Sequence, residues 1–310
     1  HLLNLLYYGI NHSYHSSQIR LKGDNKLLSN IGQTMRSIRK NKGYTQHYVS
    51  SGLLSQSAYS KFELHRIDIL ASSFMALLEK VDVSLDEFHY IMNDFQYTRR
   101  QKFINDFFRT TFNHPNKLRQ LITESERLLS DSEDQLVSDI QCICTALIVL
   151  HETGSIEQAC NHVDTVWERL SKHENWYLID IRLINSILFI FPIETAIHIA
   201  KNALKRLNIY KNFQDTYKIE INIRVNFSLL LIKYNKFKSA LVVLEEAIPL
   251  CKRHGAYREM AICYGRKGIC LKNLNMDSPE EYTEKAVTVL SILEEKKLEE
   301  MLYTEIKNYY

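Results

Sequence analysis

The strongest constraint on this chain is an internal repeat. Ile156-Glu157-Gln158-Ala159, Ile193-Glu194-Thr195-Ala196, Lys236-Phe237-Lys238-Ser239-Ala240 and Glu280-Glu281-Tyr282 align so that Ala159, Ala196, Ala240 and Tyr282 share one position, at steps of 37, 44 and 42 residues. Seven residues further on lie Val166, Ala203, Ala247 and Val289. A small residue recurs where two helices of a hairpin approach each other. Repeats of this length are stacked helix pairs, because one pair cannot bury its apolar side without the next.

Composition agrees. The 310 residues include only 9 Gly and 4 Pro, and every Pro lies at position 115 or beyond. That argues against a β-sandwich, a barrel or a disordered chain and for an all-α fold. An apolar fraction of 45% supplies a core, and the length exceeds one compact domain, which rarely passes roughly 250–300 residues. The predicted architecture is an N-terminal helical bundle over 29–95 followed by an α-solenoid of about ten helices over 96–310. Pro115, Pro192 and Pro279 mark helix starts, the last with Ser278 as N-cap and Glu280 and Glu281 in its first turn. The segment from Tyr234 through Ala240 to Ala247 resembles a tetratricopeptide repeat.

The other helix of each pair precedes the repeat, at about 133–152, 174–190, 214–234 and 256–275. These stretches are apolar but carry polar residues: Gln141, then Arg182 and Asn185, then Asn222, Arg224 and Asn226, then Arg266 and Lys267. Asn185 and Asn226 stand 41 residues apart, one repeat, and so are placed to share one concave face. An Asn there donates and accepts at once, as binding the backbone of an extended peptide requires. The competing reading is that each Asn satisfies a neighbouring helix end. Arg182, Asn185, Asn222, Arg224 and Asn226 are the candidate peptide-binding residues.

Residues 29–95 carry a sharper signal. Ile31, Met35 and Ile38 repeat at helical spacing until Gly43, a C-cap. Thr45 caps a short helix to about Ser51, Ser55 caps one over roughly 56–64 with Tyr59 and Phe62 inward, and Gly52 separates the two. A fourth helix is predicted over 69–80 and a fifth over 85–95, where Ser84 and Glu87 make a capping box. Two short helices at a tight turn form a helix-turn-helix. The charges are polarised within it. Residues 31–66 carry Arg36, Arg39, Lys40, Lys42, Lys61 and Arg66 against Glu63, a net +5, while residues 67–95 carry Lys80 against six acids, a net −5. A basic front suits DNA phosphates, and the chain total of +3 conceals it.

Gly43-Tyr44-Thr45-Gln46, Ser55-Gln56-Ser57 and Phe62-Glu63 resemble the Cro/CI-type (XRE) helix-turn-helix in residue and spacing. The resemblance implies that Gln46 and Ser55 hold phosphates, that Gln56, Ser57 and Lys61 meet base edges in the major groove, and that Arg39 and Glu63 form a structural ion pair. Arg36 and Lys40 complete the candidate DNA-binding set. Together with the repeat region, the block Ile31–Gly43, the Ser55–Glu63 block and Leu85-Asp86-Glu87-Phe88 resemble the Rgg/GadR/MutR family of transcriptional regulators over nearly all of 28–310. That implies a cytoplasmic homodimer that binds promoter DNA and is switched by a short hydrophobic signalling peptide, with no cofactor and no membrane. Two departures stand out: His65 replaces a Gly common after the recognition-helix Glu, and no Cys lies in the DNA-binding segment. The alternative class is a repressor or antitoxin-like protein whose repeats bind a protein partner.

Other readings are bounded. The six Cys (142, 144, 160, 251, 263 and 270) all fall in apolar helical stretches and read as free, buried thiols. The apolar run Leu183–Phe191 falls short of the roughly 20 residues that cross a bilayer. Cys251-x-x-His254 and His151-Glu152 lack a third partner, and no metal or phosphate-loop motif occurs, so an enzyme is not expected. Residues 1–28 are expected to be a non-native or disordered leader, in which His1, His12 and His15 have no partners for a metal.

Overall fold

The computed structural model describes residues 31–110 and 115–309. The leader and its histidines lie outside the described residues. All described elements are helical: α1 (Ile31–Asn41), α2 (Gln46–Ser50), α3 (Gln56–Glu63), α4 (Ala71–Lys80), α5 (Leu85–Met92), α6 (Arg99–Arg109), α7 (Pro115–Asp131), α8 (Gln135–Thr153), α9 (Ile156–Cys160), α10 (Asp164–Ser171), α11 (Leu178–Ile187), α12 (Ile193–Leu207), α13 (Thr216–Lys233), α14 (Phe237–His254), α15 (Tyr257–Asn273), α16 (Pro279–Ile292) and α17 (Lys296–Lys307). They divide into two compact units between Lys102 and Phe103, inside α6.

In the first unit α1–α5 surround Met35, Val49, Tyr59, Leu77, Val81 and Phe88, all nearly inaccessible. Thr45 Oγ1 accepts the Tyr48 amide, Ser55 Oγ that of Ala58 and Ser84 Oγ that of Glu87, each at 3.1 Å. Each such cap stabilises its helix by about 1 kcal/mol. Gly43 turns the chain out of α1 with φ +72°. Two boundaries differ from the pattern. α4 starts only at Ala71, after Leu70, which is exposed and supplies no side-chain cap. α5 stops at Met92, because Asp94 and Phe95 take positive φ. Ile31, expected inward, is exposed at the first turn of α1.

The second unit is a two-layer stack. α8, α11, α13, α15 and α17 contact one another in succession as one layer, and α12, α14 and α16 pack back against α13 and α15. The repeat positions explain the spacing: Ala159, Ala196 and Ala240, then Val166, Ala203 and Ala247, are all buried. In the last pair the buried small residue is Ala286, one turn beyond the aligned Tyr282, which instead leans on Tyr264. Close approach there comes from the opposite helix. A Cβ on Gly268 would lie 2.5 Å from Thr283 Cγ2 and 2.8 Å from Pro279 O. Ser278 precedes α16 with φ 58° and makes no side-chain cap, contrary to its expected role.

α8 is the described helix long and apolar enough to cross a bilayer, which the run at 183–191 did not reveal. It is a core helix instead. Ile140, Ile143, Cys144 and Leu147 are buried, and so is Asp139, which pairs with Arg169 of α10. Cys144, Cys251, Cys263 and Cys270 are buried as expected, whereas Cys142 and Cys160 are half-buried.

Candidate functional site

The first unit presents a face built on α1 and α3. Tyr59 and Phe62 turn one side of α3 into the core, so its other side carries Gln56, Ser57 and Lys61, all exposed. Lys40 is exposed and Arg36 half-buried one turn apart on α1, which packs on α3. Among the described residues Arg36, Lys40 and Lys61 make no ion pair. Their charges are therefore available to phosphates. Ser55 Oγ accepts the Ala58 amide and so keeps its hydroxyl proton to donate outward.

What fixes this face is a charged node that is half legible in sequence. Arg39 donates from Nε to Glu63 Oε1 at 2.5 Å and from Nη2 to Oε2 at 2.9 Å, as the resemblance implied, and from Nη1 to the Tyr44 carbonyl at 2.8 Å. Gln46 Nε2 also donates to Glu63 Oε2, at 2.8 Å. The Gln46 amide expected on a phosphate is thus engaged inside the fold, tying α2 to α3. Burial alone would raise the Glu63 carboxyl, but the bonds from Arg39 and Gln46 and the Arg39 charge hold it below the ordinary carboxylate range. Gly32, read in the sequence only as part of the block that carries the family resemblance, has a packing role there. A Cβ there would stand 2.0 Å from the Phe62 carbonyl oxygen, so α1 and α3 meet backbone to backbone. A Gly early in a helix was the available signal.

In the second unit the two asparagines do meet. Asn226 Nδ2 on α13 donates to Asn185 Oδ1 on α11 at 3.3 Å, across one repeat, and both are buried. Beside them a narrow pocket is lined by Leu188, Phe189, Asn226, Leu229, Leu230 and Lys233. It holds about 20 Å³, the space of one water-sized group. Lys233 is half-buried at the end of α13, and burial pushes its ammonium down to about 8. It escaped the sequence reading because it closes an apolar run like any helix-terminal lysine.

The other expected residues are placed differently. Arg182 stacks its guanidinium 3.8 Å from the centre of the Phe108 ring, and burial lowers it to about 10. Arg224 is held by Glu220 and Glu246, so its charge is spent on a surface ion-pair network rather than offered to a ligand. Asn222 is buried on α13.

Arg266 is the largest fully buried side chain. It grips Glu305 of α17 from Nε at 2.9 Å and Nη2 at 3.3 Å, and donates from Nη1 to Val225 O at 2.5 Å and to Ser228 Oγ at 3.4 Å. One guanidinium thus fastens α13, α15 and α17 together next to Asn226. No group of three His, Cys, Asp or Glu suited to a metal occurs among the described residues.

Solved structures with this fold include a transcriptional regulator from Listeria monocytogenes (21% identity, 90% of this chain and 96% of that one, TM-score 0.73). Others are PlcR of Bacillus thuringiensis in complex with the peptide PapR7 and DNA (17%, 88% and 99%, TM-score 0.67) and the SHP pheromone receptor Rgg2 of Streptococcus dysgalactiae (17%, 90% and 100%, TM-score 0.69). At these identities the likeness is one of fold. Residues 131–304, more than half of the chain, match the C-terminal domain of the HTH-type transcriptional regulator Rgg. The chain, with its helix-turn-helix ahead of that domain, belongs to the Rgg family of transcriptional regulators.

Proposed function

We propose that the protein is a cytoplasmic, homodimeric regulator that binds promoter DNA through residues 29–95 and is switched by a short apolar peptide held by residues 96–310. Gln56, Ser57 and Lys61 would read base edges from α3, while Ser55, Arg36 and Lys40 hold phosphates. Gln46 would contribute by bracing Glu63 through its side-chain amide. In the repeat unit Asn185, Asn222 and Asn226 would take the peptide main chain, with Arg182 beside them and Arg224 shaping the rim. A PlcR structure containing both a peptide and DNA supports carrying both partners to this chain.

The observation that carries the switch is the Asn185–Asn226 bond between adjacent repeats. Its 3.3 Å length marks a weak bond, which a peptide backbone offering a better donor and acceptor displaces at little cost. Opening it shifts α11 against α13 and biases a stack whose neighbours alone hold its curvature. The test is a footprint on the gene's own promoter with and without peptide from culture medium. A footprint or transcript level that responds to peptide supports the reading. No response, together with a stoichiometric protein co-purifying from the host, favours a protein-binding repressor instead.

A further inference from the structure

A second cavity shares no residue with the one beside Asn226. It lies between the connection that follows α10 and the end of α12, and holds about 570 Å³, within the range of small-molecule sites. Asn202, Lys205, Arg206 and Ile209 line it at three- and four-residue spacing, so one stripe of α12 and the turn after it forms a wall. The stretch 201–211 carries Lys201, Lys205, Arg206 and Lys211 and no acid. Cations in the last turn of a helix commonly complement its free carbonyls. Here the Asn208 amide donates to the Leu204 and Arg206 carbonyls, while Arg206 Nη2 reaches the Glu174 carbonyl of the connection at 3.4 Å, a weak bond. Lys205 is exposed, and among the described residues neither it nor Arg206 makes an ion pair.

Trp176 supplies a flat apolar wall to the same cavity. Its Nε1 donates to the Leu170 carbonyl at 3.0 Å, so the N–H is satisfied within the fold and the half-buried ring offers apolar surface. Packed with it, Ile181, Ala203, Leu207 and Ile223 form a buried cluster that joins α11, α12 and α13, so the wall is in place before any ligand arrives. Ile209, mostly exposed, adds apolar surface. Two uncommitted cations beside a flat ring call for a ligand with a charged end and a planar apolar end. A phosphate monoester carries about −1.5 to −2 at pH 7, which two cations match. A nucleobase stacks on an aromatic side chain for about 1–3 kcal/mol whatever its identity. Between the two ends, the exposed Glu174 carboxylate can accept from sugar hydroxyls. Inorganic phosphate alone would leave most of the volume empty.

We propose that this cavity binds a nucleoside monophosphate, with the phosphate on Lys205 and Arg206 and the base on Trp176. The site takes no residue from α11 or α13, which carry Asn185, Asn222 and Asn226, so it stands independently of the peptide reading.

The test is titration calorimetry and tryptophan fluorescence on the full chain with AMP, GMP, adenosine and inorganic phosphate. AMP and GMP are expected to bind at least about tenfold more tightly than adenosine or inorganic phosphate, the factor that one charge-assisted or stacking contact gives. They should also quench the tryptophan signal. Both tryptophans lie in the repeat unit, so a nucleotide resting on the DNA-binding face leaves that signal unchanged. Lys205→Gln and Arg206→Gln should each weaken AMP about tenfold and leave adenosine as it was. Trp176→Phe should remove most of the quench while calorimetry still reports binding. Lys205 is exposed, so Lys205→Gln should unfold at the wild-type temperature, which separates lost affinity from lost fold. Absence of heat and quench with both nucleotides overturns the inference. So does adenosine or inorganic phosphate binding as tightly as AMP, heat without quench, or an AMP affinity unchanged in both Gln variants.

Discussion

Removing the Arg266 guanidinium is the most informative single perturbation of the repeat unit. Arg266→Met keeps most of the side-chain volume but leaves Glu305 ionised and almost inaccessible, and strips a donor from the Val225 carbonyl. Breaking one partner of a buried pair costs about 3–5 kcal/mol. In a folded unit of some 200 residues, where 1 kcal/mol moves Tm by about 2–4 °C, the expected loss is roughly 10 °C. The double variant Arg266→Met, Glu305→Met removes both charges together. It should recover most of that loss, since two apolar side chains of similar volume replace an ion pair at little net cost. The assay is thermal unfolding followed by tryptophan fluorescence. Trp167 and Trp176 are the two tryptophans of the chain and both lie in this unit, so the signal reports it alone. If the two single variants lose stability and the double loses their sum, the coupling inferred from the geometry is absent and the reasoning fails.

Three further outcomes follow from the first unit. Gly32→Ala must move backbone away from the 2.0 Å contact at Phe62 O, an overpacking cost of about 1–3 kcal/mol or more in a small bundle; DNA affinity in a mobility-shift assay should collapse while the tryptophan transition stays in place. Lys61→Ala should lower the slope of log affinity against log salt by about one if Lys61 meets a phosphate, whereas Gln56→Ala should leave the slope and weaken only the cognate sequence, by about 1–3 kcal/mol. The Glu63 carboxyl is depressed in the fold, so its stabilisation is fully present above the ordinary carboxylate pKa and is lost as pH falls through the lower folded value. Protection of α1 and α3 amides in hydrogen exchange should therefore weaken as the solution is acidified below about pH 4, and Glu63→Gln should weaken it at neutral pH and flatten that dependence.

Lys233 behaves in the opposite sense. Its folded pKa, near 8, lies below that of a free lysine, so its charge opposes folding below about pH 8, and that penalty fades as pH rises from there toward the free value. Stability of the repeat unit should gain with pH across that window in wild type, and Lys233→Met should lose that gain. A urea titration at several pH values between 7 and 10 distinguishes the two.

The order of helices, the three caps of the first unit and the repeat were readable from the sequence, because each depends on contacts a few residues apart, whereas the expected Ser278 cap is not made. Thr45, Ser55 and Ser84 cap from three residues away, and the buried alanines recur at the period of a hairpin. The Arg39–Glu63 pair was legible only through family likeness, since 24 residues separate its members. Tertiary structure alone decided what the polar residues of the repeats do. Asn185, Arg224 and Arg266 look alike in sequence, each a polar group in an apolar helix. Packing gives the first to a neighbouring Asn, the second to surface carboxylates and the third to Glu305, 39 residues away. It also places Lys233, an ordinary helix end in the sequence, in the lining of a small pocket beside Asn226. Helix formation is local and periodic, so the chain writes it plainly. The partner of a buried charge is set by which helices the stack brings together, and no spacing along the chain records that.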